Sequence, residues 1–258
     1  MAKHNSAFVY SEAFQTYKFH NDHPFNQKRL QLTLDLIQKM KLIRPEQIIT
    51  PRMATETELE LILDAHFIQA VRQLDPTEDD TPKHPIDAEA YGLGTEDNPI
   101  FPGMYKASLL SVGGTLVATE LVMEGHVRHA LNLGGGLHHG LRNKAAGFCI
   151  FNDAAVAIAH IRKKYQARVL YIDTDAHHGD GVQWLFYDDP NVMTISIHET
   201  GRYLFPGTGD VDERGAGAGL GYSINLPLDA FTEDDSYIDM IHQLLPTAAR
   251  SFRPDLII

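Results

Sequence analysis

The stretch that most constrains this chain is 168–181, R-V-L-Y-I-D-T-D-A-H-H-G-D-G. Val169, Leu170, Tyr171 and Ile172 are consecutive β-forming residues and read as a buried strand. The strand then delivers Asp173, Asp175, His177, His178 and Asp180 within eight positions. In an extended chain alternate side chains share a face, so Asp173, Asp175 and His177 are expected to point the same way at the strand's end. Open α/β sheets bind ligands at the carboxyl ends of their parallel strands. An Asp-x-His pair there offers one oxygen and one nitrogen to a divalent metal ion.

The rest of the chain alternates in the same manner. Strands are expected at Ala7–Tyr10, around Ala130–Leu133, at Val192–Ile197, Tyr222–Leu226 and Asp255–Ile258. Helices are expected at about Asn26–Met40, Glu56–Leu74, Met104–Glu124, Asp153–Lys164, Val182–Tyr187 and Asp234–Phe252. Leu30, Leu34 and Ile37 give the first helix its apolar face at i, i+4 and i+7. Strands alternating with helices predict an α/β fold, a mostly parallel sheet sandwiched between helices. His66 reads as a packed histidine inside the second helix. Residues 75–85, rich in Pro, Asp and Thr, read as an exposed loop, and 91–103 as a second long loop. The span 199–221 is also loop, and its glycine run G-A-G-A-G-L-G lacks the Lys-Ser/Thr ending of a phosphate cradle.

A second stretch, Asn132–Gly140 (N-L-G-G-G-L-H-H-G), places adjacent His138 and His139 on a glycine-rich loop after a short strand. Two imidazoles beside a metal-bound water make a base and an acid available near neutral pH. Asp173 and Asp180 are candidates to hold those imidazoles by their second nitrogens. His178 falls on the opposite face and reads as structural. A net charge of −12 opposes general affinity for nucleic acid and is compatible with a basic, lysine-bearing partner. One cysteine, Cys149, excludes an internal disulfide and suits a reducing compartment. No apolar run is read as reaching transmembrane length, and the polar start M-A-K-H-N-S lacks a signal-peptide core. The expected location is the cytoplasm, away from membranes.

Four motifs in order, G-G-G-L-H-H-G, G-F-C-I-F-N-D (147–153), Y-I-D-T-D-A-H-H-G-D-G (171–181) and F-P-G-T-G-D (205–210), resemble the zinc-dependent histone deacetylase family, and within it a bacterial branch. The resemblance runs from about Val9 onward. It implies the three-layer arginase/deacetylase architecture, with residues 1–258 as a single catalytic domain. It implies hydrolysis of the acetyl amide of lysine on a zinc or ferrous ion held by Asp175 and His177. Asp173, left open as a ligand by spacing, goes behind His138. The histidine pair takes the base and acid roles, in an order the sequence leaves open, with Asp180 as partner of His139. Gly147, Phe148 and Phe205 match the walls of the acyl-lysine channel, Asp97 the rim aspartate, and Arg29 an arginine of the product cavity. Phe186, Ser196 and Tyr222 lie where the family binds a structural monovalent cation such as potassium. The bacterial branch implies an acetylated metabolic protein, such as an acyl-CoA synthetase, as substrate.

The family's second metal aspartate and its catalytic tyrosine come later than Ile258 in the family's pattern. A domain cut short at its C-terminal end is therefore expected, with two protein ligands instead of three and an open sheet edge. Three rivals stand beside this reading. Acetylpolyamine amidohydrolase shares the chemistry with a small cationic substrate. An arginase-like site needs two manganese ions about 3.5 Å apart, which a single Asp-x-His disfavours. A non-catalytic acyl-lysine-binding protein would keep the pocket without turnover.

Overall fold

Every paired strand in the computed structural model, which describes residues 5–77 and 85–258, runs parallel to its neighbour, as the alternation predicts. The chain divides into two units, Met1–His160 and Ile161–Ile258, each with its own sheet.

In the first unit β1 (Ser6–Val9) lies between β2 (Ile48–Ile49) and β3 (His129–Asn132). Helix α1 (Lys28–Lys39) lays Leu30 and Leu34 against Phe8, Tyr10 and Phe14, with Ile37 at the margin, so the i, i+4, i+7 face forms as read. The expected second helix breaks into α2 (Glu56–Leu59) and α3 (Ala65–Gln73). The break is tertiary: Arg142 donates from Nη1 to the Ile62 carbonyl (2.9 Å), and the Asp64 amide donates back to the Arg142 carbonyl (2.9 Å). His66, expected to be packed, is exposed on α3.

Helix α4 (Met104–Met123) has its apolar residues on all sides and is buried along most of its length. By length and composition it is apolar enough to cross a membrane, contrary to the reading of the bare sequence, but two thirds of that apolar window is buried inside the protein. Asp75, expected in an exposed loop, is only 2% exposed and serves as the cap of α4. Its carboxylate accepts from the amides of Gly103 (2.8 Å), Tyr105 (3.0 Å) and Thr77 (3.0 Å). Burial alone would raise its pKa, but these donors outweigh burial and hold it below the usual carboxylate range. The remainder of that expected loop, 78–84, lies outside the described residues.

Helix α5 (Asp153–Tyr165) leads into the second unit. There β4 (Val169–Asp173) is followed by α6 (Asp180–Leu185), β5 (Val192–Glu199), β6 (Ser223–Leu228), α7 (Asp234–Phe252) and β7 (Leu256–Ile257), with sheet order β6-β5-β4-β7. Leu170, Met193 and Ile195 pack with Ala248 and Phe252 of α7. Alternation puts Val169, Tyr171 and Asp173 on the other face of β4.

Replacing Asp75 by Ala removes the carboxylate that accepts from three amides, two of them at the start of α4. The unfolding free energy from urea denaturation should fall by roughly 2 kcal/mol at neutral pH. Because the folded pKa is depressed, the carboxylate's contribution is present above the ordinary carboxylate range and is lost as pH falls through the folded value. The gap between the two proteins should therefore narrow in acid. A gap that persists unchanged there would contradict the ionised cap.

Candidate active site

In the first unit the histidine pair follows β3 on a loop held from behind by two adjacent side chains at the start of α5. Asp153, the first residue of α5, turns its carboxylate to the glycine loop. It accepts from the amides of Gly136 (3.1 Å) and Leu137 (2.7 Å) and from the Thr115 hydroxyl. Asn152 takes the capping position, accepting from the Ala155 amide (2.9 Å). Its amide nitrogen donates to the carbonyls of His138 and Gly140, both at 3.0 Å. The loop is thus gripped just before and across the two histidines. A Cβ at Gly135 would fall on the Asp153 carboxylate and the Thr115 hydroxyl, so the loop can lie this close only as glycine. His138 and His139 are 7% and 4% exposed, with ring centres 4.0 Å apart.

The other candidates of this unit gather around His23. Its Nε2 donates to the Asp97 carbonyl (3.3 Å), and its Nδ1 accepts from the Phe25 amide (3.1 Å). Its ring meets Phe148 edge to face at 4.6 Å, and Phe25 lies 6.2 Å from Phe148. Arg29 is exposed on α1, with its guanidinium 5.2 Å over Phe25. Gly147 and Phe148 both have positive φ, 50° and 71°. Phe148 is held there by Tyr17, which donates to the Phe148 carbonyl (2.9 Å) and accepts from the Ile150 amide (3.0 Å). A bulky residue kept in the left-handed region by a buried tyrosine marks a built feature. The segment 18–27 is aromatic on its inner side, where Phe19 and Phe25 pack. It walls a cavity of about 410 Å³ to which Lys18, His20, His23 and Gln27 contribute.

In the second unit the expected common face of Asp173, Asp175 and His177 does not form. The strand ends at Asp173 and the chain bends. Asp173 is 5% exposed; it accepts from the Tyr171 hydroxyl (2.6 Å) on Oδ2 and from the Asp175 amide (3.1 Å) on Oδ1. Asp175 and His177 turn outward, with side chains 52% and 40% exposed. Asp175 Oδ1 stands 2.8 Å from His177 Nδ1 and also accepts the His177 amide. The Phe205 ring lies 6.4 Å from His177, beside a cis Phe205–Pro206 peptide. Asp180 opens α6 and is buried. His178, read as structural, is 1% exposed and lies against His198 at 4.7 Å. Burial pushes both imidazoles below their usual pKa. Ser196 Oγ accepts from the Gly179 amide (3.2 Å), and the carbonyls of Phe186 and Tyr222 accept the amides of Asp189 and Thr194.

Sequence reasoning passed over Asn152 as a clamp, Tyr17, Gln183 and Glu213. Asn152 carried a signal, since Asn directly before a helical run is a capping pattern. The others carried none, because their partners lie many residues away.

A profile of the histone deacetylase domain matches residues 23–258. The acetoin utilization protein AcuC of Bacillus subtilis is 56% identical over 258 residues, which is 98% of this chain and 65% of that protein. The AcuC of Staphylococcus aureus is 45% identical over 264 residues, covering 66% of its length. The chain thus spans just under two thirds of these relatives. The crystal structure of a histone deacetylase homologue from Aquifex aeolicus superposes with a TM-score of 0.89 at 34% identity, covering 98% of this chain and 67% of that one. A structure of such a homologue complexed with SAHA gives 0.89 at 33%. The α/β arginase/deacetylase fold expected from the motifs is therefore the fold of this chain.

Replacing Asp153 by Ala leaves two amides without their acceptor. Hydrogen exchange at Gly136 and Leu137 should accelerate by about tenfold or more, while strand amides of β4 keep their protection. Unchanged exchange at both positions would show that the loop is held by something else.

Proposed function

The chain belongs to the histone deacetylase family, and from that premise we propose that residues 1–258 act as one catalytic domain that hydrolyses the acetyl amide of lysine side chains. The observation that carries this reading is the Asp175–His177 pair at the end of a parallel strand, with Phe205 beside it. A carboxylate oxygen and an imidazole nitrogen 2.8 Å apart, both on outward-turned side chains, fit two ligands of one small divalent ion. Ligands bound at about 2.0–2.1 Å in a tetrahedral site stand about 3.3 Å from one another, so little movement is needed. Among the described residues no group of three such donors forms, so the fit is that of a two-ligand set. When bound there, zinc or ferrous iron would supply Lewis-acid polarisation of the acetyl carbonyl and a more acidic water.

The chain's own residues would do the rest. One imidazole of the His138–His139 pair takes the proton of the attacking water as it adds to the carbonyl carbon. A protonated imidazole of the pair then donates to the lysine nitrogen as the C–N bond breaks, releasing acetate and free lysine. Asn152 and Asp153 limit the motion of the loop that carries both rings, which lowers the cost of orienting them at each turnover. Phe148 and Phe205 offer aromatic faces to the methylene stem, and Asp97 a carboxylate to the backbone of the substrate. The substrate in this reading is an acetylated metabolic protein in the cytoplasm, such as an acyl-CoA synthetase. The acetoin-utilization name of the relatives supports a bacterial metabolic setting.

The test is acetate release from an acetyl-lysine peptide, with and without Zn²⁺. It is made on this chain and on the same chain continued with the remaining third of the Bacillus relative. Metal-dependent release that falls by about 10³-fold or more in His177→Ala is expected in at least the continued chain. Peptide binding without acetate from either chain would favour a binding protein. Faster turnover of acetylspermidine than of peptide would favour a polyamine substrate.

A further inference from the structure

The bend that carries Asp175 and His177 is fastened from outside by a buried polar chain that the chemistry above does not use. It begins at Glu213, in the loop before β6. Its carboxylate accepts from the Gly209 amide (3.0 Å) and from Gln183 Nε2 (2.7 Å). A carboxylate only accepts, so the Gln183 amide must turn its nitrogen toward Glu213 and its oxygen the other way. That oxygen accepts from Asn225 Nδ2 (2.7 Å) and faces His178 Nε2 at 3.2 Å. His178 must therefore carry its hydrogen on Nε2, leaving Nδ1 (2.8 Å) for the Thr208 hydroxyl. Gln183, Asn225 and His178 are all at most 5% exposed, and Glu213, at the outer end of the chain, is half-buried. A Cβ at Gly209 would collide with the rings of both His178 and His198, so the Thr208–Gly209 backbone closes directly on the two histidines. A second fastening runs from Gly209 through His198 to Ser196 and the Gly179 amide. The Glu199 amide holds the Ala176 carbonyl at 2.9 Å.

We propose that Glu213 is a positioning residue: acting through Gln183 and His178, it holds the Asp175–His177 bend in the arrangement that binds the metal ion. This rests on the deacetylase reading for the metal, but the orientation of His178 follows from the hydrogen bonds alone. The two are measured separately, by zinc affinity through competition with a chelating dye and by ¹H–¹⁵N spectra of the His178 ring.

Glu213→Ala should weaken zinc binding by about 10–100-fold, the range for outer partners of metal ligands, and should remove the defined Nε2–H signal of His178. Glu213→Gln keeps an acceptor oxygen for Gln183 and should restore most of the affinity and the signal. Gln183→Leu keeps the volume and the Glu213–Gly209 contact but cuts the chain, and should behave as Glu213→Ala does; it also decides the matter if Glu213→Ala fails to fold by circular dichroism. Zinc affinity within twofold of the unmodified chain in both truncating variants would overturn the proposal. So would weakened affinity with an unchanged His178 spectrum, because the effect would not pass through His178. The zinc titrations are made on this chain and on the continued chain; if neither unmodified chain binds zinc, the deacetylase reading fails, and the His178 spectra of the variants alone decide whether Glu213 orients that ring.

Discussion

Asp153 and Asp173 each stand at the end of a regular element with a carboxylate turned inward to receive donors from a loop. Asp153 receives the glycine loop that carries His138 and His139, and Asp173 the first amide of the bend that carries Asp175 and His177. A hydrogen bond to a charged acceptor contributes about 1.5–3 kcal/mol, and leaving the buried carboxylate without its donors would cost more. Each loop therefore has one low-energy path close to its carboxylate, and the chemistry-bearing side chains that follow inherit their places from it. Burial raises the pKa of Asp153 despite its donors.

The same device leaves the two sets of side chains in different surroundings. The imidazoles at 138 and 139 are buried, which in the proposed reaction would shield their proton transfers from bulk water. Asp175 and His177 are turned outward, where the ion of the proposed reaction could reach them. Between the regular strand and these exposed donors lie only the bend and its fastenings. Their rigidity comes from buried hydrogen bonds, since the bend itself contributes little apolar surface.

Much of this was legible. The strands and helices were readable because their apolar periods are local properties: α7 spans Asp234–Phe252 as read, and β4 differs from its expected span by one residue. The motifs singled out His138, His139, Asp175 and His177 because they crowd titratable groups into short stretches, a property of local sequence. The errors share one cause. The helix through Asp64, the packed His66, the exposed Asp75 and the common face of residues 173–177 were all extrapolated from local pattern. At Asp64 and Asp75 a partner distant in sequence decided otherwise, and at 173–177 the chain bends and its side chains bond two residues away.

The sequence by itself determined the α/β class, the order of the elements apart from β2 and the break between α2 and α3, and the inventory of reactive groups. Period, capping residues and motif spacing are written within short windows of chain, where local sterics and amphipathicity act. Only the tertiary structure decided what holds those groups. The turn of Asp153 toward the glycine loop, the grip of Tyr17 on Phe148 and the orientation of Gln183 between Glu213 and His178 are of this kind. Each includes a bond between residues 16 to more than 100 positions apart, and such bonds are strong only once the surrounding chain has excluded water.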